Sequence, residues 1–229
     1  MMSSDETSRG TPPVERYRVP AGVARSEIEV KNSIFIGTVD RARDVRAAEA
    51  VIARVRAEFP DANHHAWAYR LSGGPQGLIG SSDDGEPGGT AGRPMLAILE
   101  GSGLVEVVAV GTRYFGGTKL GTGGLVRAYG GVVREALAAL SVQELVLHRV
   151  VRFDVEYALY GTLQYLLPRL DVRVVEEAFA DRVTLQLAIP YHRWDEMVRQ
   201  VRELTNGQVD LERRQVGERY DVVGAAHGP

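Results

Sequence analysis

Two spacings of apolar residues divide the chain into strands and helices. Residues 27–30, Glu-Ile-Glu-Val, alternate in character, and residues 33–39 resume an extended apolar run after Lys31-Asn32, so a hairpin is predicted there. Over residues 44–58, Val45, Ala48, Ile52 and Val55 recur at helical spacing, and Pro60 stops the helix just after Phe59. Residues 64–71 and 77–81 read as a second hairpin through Ser72-Gly73-Gly74-Pro75. A short helix is expected over residues 90–100 with Thr90 as its cap. Residues 104–110 are almost continuously apolar, the pattern of a strand buried on both faces. From residue 122 to 140 the helical period returns, with Leu125, Tyr129, Val132, Val133, Ala136, Leu137 and Leu140 on one face. Gly123, Arg127, Gly130, Gly131 and Arg134 fall on the other.

After Ser141 the pattern starts again. A strand at 150–155 precedes a helix at 159–170, then a hairpin of residues 172–179 and 183–189, a helix traced by Trp194, Met197, Val201 and Leu204, and a last strand at 208–213. This βαββαβ order is the plan of ferredoxin-like domains. The expected fold is therefore α+β in two domains, residues 19–143 and 149–220, joined through Ser141-Val142-Gln143-Glu144. Residues 1–18, polar with Pro12-Pro13, and residues 221–229 are expected to be disordered tails.

Composition narrows the function classes. With no cysteine among 229 residues, disulfides, thiolate metal sites and a cysteine nucleophile are excluded. The N-terminus has no apolar signal region and no apolar stretch is long enough to span a bilayer, so the expected location is the cytoplasm, away from membranes. A net charge of −3 argues against wholesale wrapping of nucleic acid, so RNA or DNA contact would need a local patch.

Such a patch exists in the sequence. Between Val107 and Arg134 there is no acidic residue, while Arg113, Lys119, Arg127 and Arg134 stand among glycines that include Gly116, Gly117, Gly121, Gly123 and Gly124. Lys31 and Lys119 are the only lysines in the chain. Glycines expose backbone amides and let a ligand approach closely, and amides beside fixed cations suit phosphate. Arg113, Lys119 and Arg127 are expected to converge on one anion site. Interior glycines weaken a helix, so the glycine face of the 122–140 helix implies either a close ligand or a close helix crossing. The acids Asp83, Asp84 and Glu86, with Thr90, lie upstream and are expected at the rim of the same concavity, together with His65, Tyr69 and Tyr114.

Standard motifs do not fit. Gly116-Gly117-Thr118-Lys119 places threonine before the lysine, where a P-loop requires glycine before it and Ser/Thr after it. In residues 121–126 Val126 occupies the third glycine position of the dinucleotide fingerprint. His64 and His65 point to opposite faces of a strand and cannot both join Asp83, Asp84 and Glu86 around one metal. No metal ligand set and no cofactor are assigned.

The strings Asp83-Asp84-Gly-Glu86-Pro-x-Gly-Thr90-Ala-Gly-x-Pro94 and Arg113-Tyr-Phe-Gly-Gly-x-Lys119-Leu-Gly-Thr-Gly-Gly-Leu-x-Arg127-Ala-Tyr129 closely resemble those of the IMPACT/YigZ family, as does His65-Ala-Trp-Ala-Tyr69-Arg. The later half is similar to the small domain of its bacterial members, which is like the C-terminal domain of elongation factor G. The resemblance implies a first domain of the ribosomal-protein-S5 domain-2-like kind and a role near translation. Eukaryotic members restrain a starvation-sensing kinase with an extra N-terminal RWD domain; the short polar tail here does not support carrying that mechanism over. Two main readings follow, with pure protein–protein scaffolding as a third class. In the first, a binding protein presents the glycine-rich cationic surface to RNA or to a ribosome-associated protein. In the alternative, a Mg-assisted enzyme acts on a nucleotide or other phosphate-bearing small molecule, with the cations on phosphate and the acids on metal.

Overall fold

In the computed structural model the described residues are 14–72 and 77–226, the last three as backbone only. They form two compact units, with residues 17–144 making up the body of the first and residues 145–223 that of the second. The chain passes from one to the other inside a strand.

The first unit is built on a five-stranded antiparallel sheet. Its strands β2 (Ala24–Val30), β3 (Ser33–Arg41), β4 (His64–Leu71), β5 (Leu78–Ser82) and β6 (Val107–Tyr114) lie in the order β2-β3-β6-β4-β5. Helix α1 (Val45–Glu58) packs Ala48, Ile52 and Val55 onto the face carrying Val108, Val110 and Leu71. Helices α2 (Gly92–Ser102) and α3 (Thr122–Ala138) cover the opposite face, where Met95, Leu99, Tyr129, Val132 and Val133 meet Phe35, Ala66, Ala68 and Ala109. Every residue of β6 from Val107 to Arg113 is buried, as suits a central strand, but the strand begins after Glu106, at φ 53°, and so is shifted toward the C-terminus from the apolar run at 104–110.

The second unit has the βαββαβ order: β7 (Val142–Val155), α4 (Tyr157–Leu166), β8 (Arg173–Phe179), β9 (Val183–Pro190), α5 (Trp194–Leu204) and β10 (Gln215–Ala226). Its strands lie in the order β10-β7-β9-β8, so each helix connects strands separated by one other, the split βαβ plan. Phe153, Leu185, Leu187, Met197 and Val201 fill one face.

Three further expectations change. Among the described residues regular structure starts at Arg16, inside the expected tail, because β1 (Arg16–Pro20) is hydrogen-bonded to β7. The expected connector at residues 141–144 is instead the start of β7, whose Val142 is buried. The last strand falls at β10 rather than at 208–213, and so runs into the expected C-terminal tail. There the Asp210 carboxylate accepts from Glu212 N at 3.1 Å and starts a short 3-10 turn, while Val209 and Leu211 are buried. Side-chain bonding to the local backbone competes with strand pairing at such positions.

Candidate anion-binding surface

The sequence block that drew attention separates into a buried half and an exposed half. Arg113, at the end of β6, points to the face covered by α2 and α3, and its side chain is 7% exposed. Its Nη1 donates to Glu86 Oε1 at 2.8 Å and Oε2 at 3.1 Å. Tyr129 Oη donates to Glu86 Oε1 at 2.8 Å, and the Tyr129 ring stands edge-on to Phe35 at 5.1 Å. Burial first, and then the Glu86 carboxylate, push the Tyr129 phenol far above its ordinary pKa, so it acts as a fixed donor. The Arg113 guanidinium also lies over the rings of Phe35 and Phe115, at 5.3 and 5.4 Å. Its charge is paired with Glu86 inside the protein, although its buried Nε–H has no hydrogen-bond partner among the described residues. Arg113 therefore does not converge with Lys119 and Arg127 on an open site.

The acids are equally committed. Asp83 accepts from Gly89 N at 2.7 Å and from Ala91 N and Gly92 N at 2.9 Å each, capping α2 from the loop that leads into it. Burial alone would raise its pKa, but those three N–H donors together with Arg93 hold the carboxyl below the usual aspartate value. Thr90, expected to be the cap, is buried and donates to Pro87 O at 2.7 Å instead. Asp84, with φ 47°, accepts from His65 N at 2.7 Å and from Arg56 Nη2 at 2.6 Å, tying the loop to α1 and β4. The three carboxylates brace the fold rather than rim an open concavity. Among the described residues no group of three or more His, Asp and Glu is arranged to hold a metal ion.

His65 and Tyr69 belong to the other side of the sheet, the α1 side. His65 Nδ1 shares a hydrogen bond with Thr112 Oγ1 at 3.1 Å, and burial pushes the ring below the usual histidine pKa against an opposing pull from Asp84. The Tyr69 ring stacks on Trp67 at 5.4 Å. Tyr114 is half-buried and pairs with Ile34 in the β3–β6 ladder.

What stays open is the segment from Phe115 into α3. Ser33 Oγ accepts from Gly116 N at 3.1 Å, and a Cβ at Gly116 would lie 2.0 Å from the Asn32 carbonyl carbon, so only glycine fits this approach. Gly121, at φ 72° and ψ 167°, turns the chain into α3, and no side chain caps that helix. Gly117 also has positive φ, and Gly123 is exposed with Arg127 Nη1 3.7 Å from where its Cβ would be. Lys119 and Arg127 are exposed, as is Lys31 at the β2–β3 turn. None of the three has an ion-pair partner among the described residues. Arg127 and Lys31 both line a pocket of about 190 Å³ between β2 and the first turns of α3, which sequence reasoning missed because Lys31 lies some ninety positions before Arg127. Farther along α3 the glycine face is packing: Gly130 is buried facing Ile98 of α2, and Gly131 faces Ile28 of β2, each at 3.8 Å from the added Cβ. The close-crossing reading holds there, and the open reading is limited to the helix start.

Fold and site together define a two-domain α+β protein whose first domain encloses a buried Glu-Arg-Tyr network beneath an exposed cationic loop. Residues 31–137 match the Impact N-terminal domain, and residues 153–208 match a domain of unknown function, DUF1949. The chain is 39% identical over 200 residues to the IMPACT family member YigZ of Escherichia coli K12, covering 86% of this chain and 98% of that protein. It is 36% identical over 204 residues to an IMPACT family member of Haemophilus influenzae, covering 88% and 98%. A crystal structure titled that of an hypothetical protein aligns with a TM-score of 0.61 at 36% identity, over 93% of this chain and 99% of that one. The chain belongs to the IMPACT family.

Proposed function

We propose that this IMPACT-family chain is a translation-associated binding protein that presents the loop before α3 and the start of that helix to RNA phosphates, in the cytoplasm. The supporting observation is that Lys31, Lys119 and Arg127 are exposed and unpaired among the described residues, beside an uncapped helix start. Phosphate contacts of this kind position a strand without reading its sequence. Among the described residues no helix is long and apolar enough to cross a membrane. The Mg-assisted enzyme reading loses support, because Asp83, Asp84 and Glu86 already spend their oxygens on backbone N–H groups, Arg56, Arg113 and Tyr129. Fluorescence anisotropy with a labelled single-stranded RNA tests the proposal. The Lys119→Glu/Arg127→Glu double variant, with an unchanged melting temperature, should bind at least tenfold more weakly; equal binding removes RNA from the account.

A further inference from the structure

The pocket beside Arg127 has a floor that a bare phosphate site does not require. Ile28 and Val30 of β2 form one side, and Leu120 with Ala128 the other. Glu27 and Glu29 alternate to the opposite, exposed side of the strand, so no carboxylate lines the pocket. The two charged residues that do line it, Lys31 and Arg127, are both cationic and have no ion-pair partner among the described residues.

Size and charge select a ligand class. At about 190 Å³ the pocket holds about six waters' share of liquid volume, and it falls short of the ~300 Å³ at which drug-sized ligands are accommodated. It can seat one ring system, with the rest of a larger ligand outside its open mouth. A phosphate monoester carries about −1.5 to −2 charges at pH 7, which matches the two cations that line the pocket, whereas each internal phosphodiester of an RNA strand carries only one. Arg127 brings a planar guanidinium that bonds phosphate bidentately or stacks on a base, and the aliphatic walls accept a flat ring without a hydrogen-bond demand. Leu120 sits close against the helix because position 124 is glycine: a Cβ there would lie 2.9 Å from Leu120 Cβ.

From this geometry we infer that the pocket between β2 and α3 binds a nucleoside monophosphate unit, with its base on the aliphatic walls and its terminal phosphate on Lys31 and Arg127. The unit is either a free nucleotide or the 5′ end of an RNA strand. The inference deepens the RNA reading by naming what that surface holds, yet the two fail separately.

The test uses the full chain and calorimetric titration with AMP, ribose 5-phosphate and adenosine. AMP should bind, with ribose 5-phosphate and adenosine each at least tenfold weaker, and Lys31→Ala or Arg127→Ala should each weaken AMP at least tenfold. Both side chains are exposed and unpaired among the described residues, so unchanged thermal melts will confirm that the variants fold. A parallel pair of short RNAs, identical except for a 5′-phosphate or a 5′-hydroxyl, separates the sources. Tighter binding of the phosphorylated strand identifies the strand end, and equal binding of the two strands alongside AMP binding identifies the free nucleotide. No AMP binding, equal binding of AMP and ribose 5-phosphate, or AMP binding indifferent to both substitutions overturns the inference. RNA binding without AMP binding refutes the pocket alone, and AMP binding without RNA binding refutes only the RNA reading.

Discussion

Arg113 Nη1 reaches both carboxylate oxygens of Glu86, at 2.8 and 3.1 Å, and joins the acidic and basic halves of the family's signature in a single buried pair. With side-chain exposures of 7% and 3%, neither group meets solvent. A buried pair of this kind fixes geometry more than it adds stability, because desolvation offsets much of the attraction.

Removing one partner is therefore costly, because it leaves the other buried and unpaired. Arg113→Met and Glu86→Leu should each cost about 3–5 kcal/mol by leaving a buried charge alone, and the double variant should cost clearly less than their sum. Urea denaturation of the three variants checks this; additive costs would show that the two side chains do not act as a pair.

The Asp83 cap gives the first unit a specific acid sensitivity. Because its folded pKa lies below the ordinary value, its contribution is fully present above about pH 4, and it is lost as pH falls through the folded pKa. Asp83→Ala should destabilise the protein by about 0.5–2 kcal/mol at neutral pH, in the range of a lost helix cap. Stability measured from pH 7 to pH 3 should show the difference between variant and wild type shrinking below pH 4. A constant difference would assign the loss to something other than the carboxylate.

Gly116→Ala tests the tight approach of the loop to the β2–β3 turn. The added carbon would meet backbone, not a flexible side-chain end, so the loop must move. The variant should lose more than about 1 kcal/mol, the size of effect seen when alanine replaces glycine at an incompatible position. A neutral substitution would mean that the loop is free of the turn in solution.

We expect the two units to unfold separately. In calorimetry of the full chain, Arg113→Met should lower one transition, and Met197→Ala, a change in the core of the second unit costing about 2–5 kcal/mol, should lower only the other. A single transition shifted by both substitutions would make the chain one folding unit.

The elements were legible where apolar period and punctuation agree. The α3 face from Leu125 to Leu137 and the β8–β9 hairpin lie where spacing puts them, while β6 shares only Val107–Val110 with the expected 104–110 strand and runs on to Tyr114. The site was only half legible. That Arg113, Lys119 and Arg127 share a glycine-rich stretch says nothing about which face each side chain takes, and the period of β6 turns Arg113 inward, toward Glu86. Lys31 beside Arg127 depends on a contact between distant segments, which no local pattern carries, while Asp83 caps α2 from nine positions upstream, beyond the reach of an N-cap rule. Thr90 illustrates the same limit, since a good cap residue was displaced by a carboxylate seven positions upstream in the same loop.

The central claim is that the exposed cations Lys119 and Arg127, and not the buried Arg113, contact nucleic-acid phosphate. The salt dependence of single-stranded RNA binding measures this most directly, because each lost phosphate contact lowers the slope of log K against log salt by about 0.7. Lys119→Ala and Arg127→Ala should each weaken binding and reduce the slope by about that amount. Unchanged affinity and unchanged slope in both variants would contradict the account.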